Sequence, residues 1–258
     1  MKKTIIALMA LCSVASAADL VAEWKDFSTL TSGSYTIVTS GSSKAEDGFL
    51  SVVGANGGSA TIDVSAAGLS ISDGFTLNLT LNGIKSWSGN QPHAFVGIKG
   101  EDTTFLALAG LHGDASEGAK VGKFAFNGSA NKVTMTYPEG ENGDLSCLTG
   151  TDKFYTLTLT FAKSAFSMYL DGALLATGTP NSEMTDAMAA QDITSIAFGS
   201  WVGDSNNALL SETISSFSIY GGAMTASEVA ALVPEPTTAT LSLLALAGLA
   251  ARRRRASR

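Results

Sequence analysis

The stretch YTLTLTFAKSAFSMYLDGALLAT, Tyr155 to Thr177, decides the fold class. Tyr155, Leu157, Leu159 and Phe161 alternate with Thr156, Thr158 and Thr160. A period of two puts the apolar set on one face of a strand and threonine on the other. Ala165 to Leu170 and Ala173 to Thr177 then flank Asp171-Gly172, the preferred pair for a tight type I′ hairpin. The same alternation recurs outward along the chain. Phe75, Leu77, Leu79 and Leu81 alternate with Thr76, Asn78, Thr80 and Asn82, and Val133, Met135 and Tyr137 alternate with Thr134 and Thr136. Weaker strand patterns cover Tyr35–Thr39, Phe49–Val53, Ala60–Val64 and Ala94–Ile98. Four more cover Phe105–Leu108, Lys123–Phe126, Ile193–Phe198 and Ile214–Tyr220. Clusters of Gly, Ser, Asn and Asp separate them, the pattern of an all-β sandwich or jelly roll.

One helix closes the domain. Thr225-Ala226-Ser227-Glu228 is a capping box, predicting a short helix over Ala226–Leu232 with Val229 and Leu232 facing the sandwich. No internal repeat or linker divides residues 18–232.

These segments resemble LamG-like domains. Tyr155 to Phe161, followed by Phe166-Ser167-Met168-Tyr169-Leu170-Asp171-Gly172, is similar to their strand and Y-[VL]-D-G hairpin. Ile214 to Tyr220 with the Thr225–Leu232 helix resembles their closing strand and helix, and Leu20 to Trp24 their opening strand. The resemblance spans Asp19 to Leu232 and is weakest over residues 83–131. It implies a concanavalin A-like jelly-roll β-sandwich of two antiparallel sheets. Its motifs are structural, and a shared fold does not imply a shared function.

The two ends read as processing signals. Lys2 and Lys3, the apolar run Thr4–Val14 and the Ala15-Ser16-Ala17 step form a secretory signal peptide over residues 1–17, with cleavage expected after Ala17. A lipoprotein signal at Cys12 is disfavoured, because Leu11 precedes it where a small residue is expected. At the other end, Pro234-Glu235-Pro236 is followed by the uncharged run Thr237–Ala251 and then Arg252, Arg253, Arg254 and Arg255. As a helix that run is roughly 22 Å long, short for a bilayer core of about 30 Å. The order of these parts over residues 233–258 resembles the PEP-CTERM sorting signal of Gram-negative bacteria. The resemblance implies a membrane-embedded exosortase as partner, transient anchoring in the inner membrane, and delivery to the cell surface or extracellular matrix. Exopolysaccharide synthesis commonly accompanies that system. An ordinary single-span anchor is the alternative.

Without its ends the chain changes character. Seven of the 16 basic residues lie in them, so the core keeps nine lysines, no arginine and nearly all of the 23 acids. Nucleic-acid binding needs clustered cations against phosphates and is excluded. Adhesion to anionic lipid is disfavoured for the same reason. Cys147 is the core's single cysteine, so no internal disulfide can form.

Residue patterns for catalysis are absent from the sequence. A strand-borne E-x-D-x-x-E, as in the laminarinase-type relatives of this fold, is not present. Glu101-Asp102 and the set Glu139, Glu141 and Asp144 lack that spacing, and Ser70-Ile71-Ser72-Asp73-Gly74 falls short of an Asp box. His93 and His112 lack a zinc-binding pattern, and Cys147 lacks a histidine motif.

Binding has a clearer signature. Ser86-Trp87-Ser88-Gly89-Asn90 and Ser200-Trp201-Val202-Gly203-Asp204 share the pattern S-W-x-G-[ND], each after an apolar strand. Either the tryptophans stack on sugar rings while Asn90 and Asp204 bond hydroxyls, or each covers one end of the core. Trp24 reads as core. Asp204, Ser205, Asn206 and Asn207 offer hard oxygens suited to calcium, with Asp204 and Asn206 the candidate ligands. The expectation is a non-catalytic, carbohydrate-binding surface or matrix protein. The alternatives are a structural matrix protein without a glycan site, and a divergent glycoside hydrolase.

Overall fold

The computed structural model describes residues 18–53, 58–84, 92–101, 105–113, 120–125, 133–139, 143–189, 191–199 and 211–233. The strands in chain order are β1 (Asp19–Trp24), β2 (Thr31–Ser32), β3 (Tyr35–Gly41), β4 (Lys44–Glu46), β5 (Phe49–Val52) and β6 (Gly58–Asp63). Next come β7 (Phe75–Asn82), β8 (Pro92–Gly100), β9 (Phe105–Gly113), β10 (Lys120–Ala125) and β11 (Val133–Thr136). The last are β12 (Tyr155–Ala162), β13 (Ala165–Leu170), β14 (Ala173–Pro180), β15 (Ile193–Phe198) and β16 (Glu212–Gly221). Two short helices are α1 (Ser182–Ala189) and α2 (Ala226–Leu232).

These strands form two antiparallel sheets packed as a jelly-roll β-sandwich. One sheet runs β11-β14-β13-β12-β7-β16-β5-β4, with β1 also paired to β16. The other runs β10-β9-β8-β15-β6-β3-β2. Register aligns the apolar parity of neighbouring strands. Leu157, Leu79 and Phe217 form one row across β12, β7 and β16, and Leu159, Leu77 and Ile219 the next. In the facing sheet Ile37, Ile62, Ile196 and Ile98 form a row across four strands. All ten of these side chains are buried. Between the sheets, Phe124 of β10 meets Phe161 and Phe166 edge-on at 5.7 and 5.4 Å, and Phe198 of β15 meets Phe217 at 4.9 Å. Edge-to-face contacts of this spacing add to the burial of large rings. Trp24 belongs to this core, stacked on Phe217 at 5.7 Å.

The threonine face of the first sheet is covered as well. Thr76, Thr158, Thr160 and Ser218 are buried. Residues Tyr169, Met224 and Val229 form a second apolar cluster over this face, with Ala18, Tyr220 and Leu232 against it. Buried hydroxyls need partners, and Thr76 and Thr158 show theirs. The Thr76 hydroxyl donates to Gly222 O at 2.9 Å and accepts from Met224 N, and the Thr158 hydroxyl donates to Asn78 Oδ1 at 2.8 Å.

Local motifs behave as their residue types dictate. Asp171 and Gly172 both adopt positive φ, 47° and 80°, as a type I′ turn requires. The Asp171 carboxylate also accepts from Thr156 N at 2.9 Å, tying the turn to β12. The capping box forms: the Thr225 hydroxyl accepts from Glu228 N, and the Glu228 carboxylate accepts from Thr225 N. Helix α1 is an addition to the pattern expected from sequence. Asn181 Oδ1 accepts from Met184 N in its first turn, and Met184 is buried. Among the described residues no helix is long and apolar enough to cross a membrane. The signal segment with Ala15 and Ala17, and the sorting tail from Pro234, Glu235 and Pro236 to Arg252–Arg255, lie outside the described residues.

Candidate functional site

One end of the sandwich gathers the strand ends that lead into the segments sequence singled out. Thr213 pairs with Asn82, so the start of β16 lies beside the end of β7. Glu212 pairs with Val52 at the end of β5, and Phe198 pairs with Ala60 near the start of β6. The chain therefore departs toward residues 85–91 and 200–210 from this same end. Trp87, Asn90, Trp201, Asp204 and Asn206 themselves lie outside the described residues. The end of β7 that leads to Trp87 is held by hydrogen bonds. Asn82 Nδ2 donates to Thr151 O at 3.0 Å, and Gly83 N and Ile84 N donate to Gly150 O and Leu148 O. A Cβ on Gly58 would stand 2.0 Å from Ser40 O, so only glycine lets β6 start this close to β3.

Glu212 is the residue that sequence reasoning missed. It shares inward parity with Ile214, is 2% exposed, and neither carboxyl oxygen has a hydrogen-bond partner among the described residues. Burial pushes its carboxyl well above the ordinary glutamate value. The signal was present: a lone glutamate two positions before Ile214 continues the apolar alternation of β16.

A second feature lies on the outer face of the seven-stranded sheet. While Ile37, Ile62 and Ile196 point inward, Thr36, Val38, Thr61, Asp63 and Ser195 line an open groove of ≈ 710 Å³, with Tyr35 at its side. Asp63 Oδ1 accepts from Ser65 N at 2.9 Å and from the Ser65 hydroxyl at 2.6 Å. The hydroxyl bond first, then the backbone bond, holds the Asp63 carboxyl below its usual range. Val38 is 61% exposed and gives the groove an apolar patch between hydroxyls. Such a surface can bond a polyol edge and contact a C–H face.

The other candidates take structural places. Cys147 is half-buried, and burial, then the charge of Asp144, raises its thiol. A raised thiol is less of a nucleophile at neutral pH. Asp144 Oδ1 accepts from Ser146 N and its hydroxyl, a local turn. Ser70 donates to Asp73 at 2.7 Å, closing the turn before β7. Glu101 and Glu139 are exposed in turns, and Asp102 and Glu141 lie outside the described residues. His93 and His112 stand on the neighbouring strands β8 and β9, where Pro92 pairs with His112 and His93 with Leu111. Among the described residues no group of three His, Cys, Asp or Glu could hold a metal ion.

No protein-family model and no curated protein matches this chain. Solved structures share its fold. A Trypanosoma rangeli sialidase bound to a difluoro-KDN sugar superposes with a TM-score of 0.53 at 18% identity, covering 83% of this chain and 32% of the sialidase. The receptor-binding domain of botulinum neurotoxin mosaic serotype C/D gives 0.52 at 12% identity, covering 83% of this chain and 50% of that one. Domain 4 of a GH43 extracellular arabinanase from Geobacillus stearothermophilus, in complex with arabinotriose, gives 0.48 at 18% identity, covering 84% of this chain and all of that domain. The chain spans a third to a half of the sialidase and neurotoxin chains. At these identities the likeness to the sialidase and the neurotoxin domain is one of fold.

Proposed function

We propose that this chain is a non-catalytic glycan-binding protein of the bacterial surface or extracellular matrix. Its LamG-like sandwich is the working part. Residues 1–17 export it, and the PEP-CTERM-like tail over residues 233–258 presents it to an exosortase of a Gram-negative-type envelope. The observation that carries the glycan reading is convergence: both S-W-x-G-[ND] segments spring from one end of one sandwich. On this reading Trp87 and Trp201 stack on sugar rings, with Asn90 and Asp204 bonding their hydroxyls and calcium, if bound, held by Asp204 and Asn206. The acidic, arginine-free core favours a neutral ligand such as a neutral exopolysaccharide. Support of a general kind comes from the fold. The sialidase structure holds a sugar, and botulinum neurotoxin type C, at a TM-score of 0.50, enters cells through interaction with two ganglioside molecules.

A structural reading is favoured by one specific observation. The groove's hydroxyls are largely engaged within the protein, Thr36 with Thr31, Thr61 with Val38 O, and Ser65 with Asp63. Polysaccharide pull-down and glycan-array binding of the exported protein, with and without calcium, separate the readings. Trp87→Ala and Trp201→Ala are expected to abolish binding while Asp63→Asn leaves it intact. The reverse outcome moves the site to the groove. Absence of binding under every condition leaves the structural reading.

A further inference from the structure

We propose that Glu212 is a proton-operated latch at the end of the sandwich from which the two tryptophan segments depart. With a proton, its side chain remains inside the sheets and holds the first residues of β16 in place. Without one, it drags them outward to water and loosens that end. The inference adds regulation to the glycan reading, but its physical core is independent of any ligand.

The geometry leaves Glu212 few choices. It is 2% exposed, and its two carboxyl oxygens lack partners among the described residues. Its neighbours of the same parity are apolar: Ile214 on its own strand, and Val52 directly across on β5. A carboxylate in such surroundings either takes up a proton or moves to water. Among the described residues no cation offsets it, and burial is what raises its carboxyl. Strands β5, β7 and β15 carry no charged residue. Asp63 of β6 lies at that strand's far end. Lys44 and Glu46 of β4 are exposed and paired with each other. His93 and His112 stand toward this end of β8 and β9, and Lys85 and Asp204 occur in the adjoining sequence segments. Movement is also local. Glu212 is the first residue of β16, so its escape breaks the pairing with Val52 and strains Thr213 against Asn82, leaving Phe217 and Ile219 in the core.

The direction of the response follows from linkage. Burial raises the folded carboxyl well above the 4.5 of an ordinary glutamate. Its contribution to the closed end is therefore complete below about 4.5 and is lost as pH rises through the folded value. Acid closes the latch and alkali opens it.

The test is a pH titration of the full chain by NMR, following the Glu212 carboxyl carbon and hydrogen exchange at the amides of Val52, Asn82 and Thr213. The carboxyl is expected to titrate above the Glu228 carboxyl, which the capping box lowers. Each pH unit above its midpoint should lower amide protection by up to tenfold, relative to Glu212→Gln, whose amides should show only the intrinsic pH dependence of exchange. Titration at or below the ordinary glutamate value overturns the proposal, as does identical protection in the two proteins. Should Glu212→Gln fail to fold, the wild-type carboxyl titration decides alone. Because neither readout involves a sugar, loss of the glycan reading and loss of the latch are separate results.

Discussion

Replacing Asp171 by alanine tests what the hairpin motif is for. Asp171 does two things at once. Its backbone holds a φ of 47°, and its carboxylate accepts from Thr156 N at 2.9 Å while Asp171 N donates to Thr156 O at 2.7 Å. Losing a hydrogen bond to a charged acceptor costs about 1.5–3 kcal/mol. Placing alanine in the left-handed region costs roughly a further 1 kcal/mol, because Cβ meets the following carbonyl oxygen. The Lys153 pair at 3.2 Å is left out of the sum, since both side chains are well exposed. The total is about 3 kcal/mol, a fall in Tm of roughly 6–12 °C for a domain of this size. Asp171→Asn keeps an acceptor and tolerates the left-handed region, so it should cost less than about 1 kcal/mol. Asp171→Gly keeps the backbone freedom and isolates the lost hydrogen bond. Urea unfolding followed by circular dichroism ranks the three. The reasoning is refuted if alanine lies within about 1 kcal/mol of wild type, or if asparagine is as harmful as alanine.

Two shorter predictions address other parts of the fold. Gly58→Ala forces a methyl to within 2.0 Å of Ser40 O at a φ of +148°, so β3 and β6 must part there; exchange at the Ser59 and Gly41 amides should accelerate at least tenfold, and an unchanged exchange pattern would contradict the close approach. For helix α2, the bonds from Thr225 N and then from the Thr225 hydroxyl hold the Glu228 carboxyl below its usual range. A lowered acid supports the helix above its unfolded value of 4.5 and ceases to as pH falls through the folded value, so exchange in residues 226–232 should rise in acid, opposite in sign to Glu212.

Legibility in the sequence tracked the range of the interaction. The β12 alternation, the Asp171-Gly172 turn and the Thr225–Glu228 box depend on neighbours within a few residues, and each was readable. Strands β8 and β9 were faint because bulges between Ala94 and Val96 and between Ile98 and Lys99 break the period of two. Strands β2 and β4, of two and three residues, are too short to show any period. Helix α1 has little apolar face, and its main local sign was Asn181. The burial of the threonine face was out of reach, since Thr76 meets Gly222 across 146 positions. The groove beside Asp63 likewise exists only once β3, β6 and β15 are in register. Glu212 was the opposite case: its parity was legible, but only the fold reveals that its carboxyl is buried with no partner among the described residues.

Strand β16 also determines when the nine-stranded sheet can exist at all. It is the last strand among the described residues, yet it lies inside the sheet, bonded to β1, β5 and β7. A nascent chain that has not reached Glu212 can set β7 against β12, but β1 lacks its sheet partner and the β4–β5 hairpin is not paired to the rest of the sheet. Synthesis must run through Gly221 before the first strand made finds its place. Early portions of the polypeptide therefore stay open while later ones are still being added, and the sandwich closes in one late step.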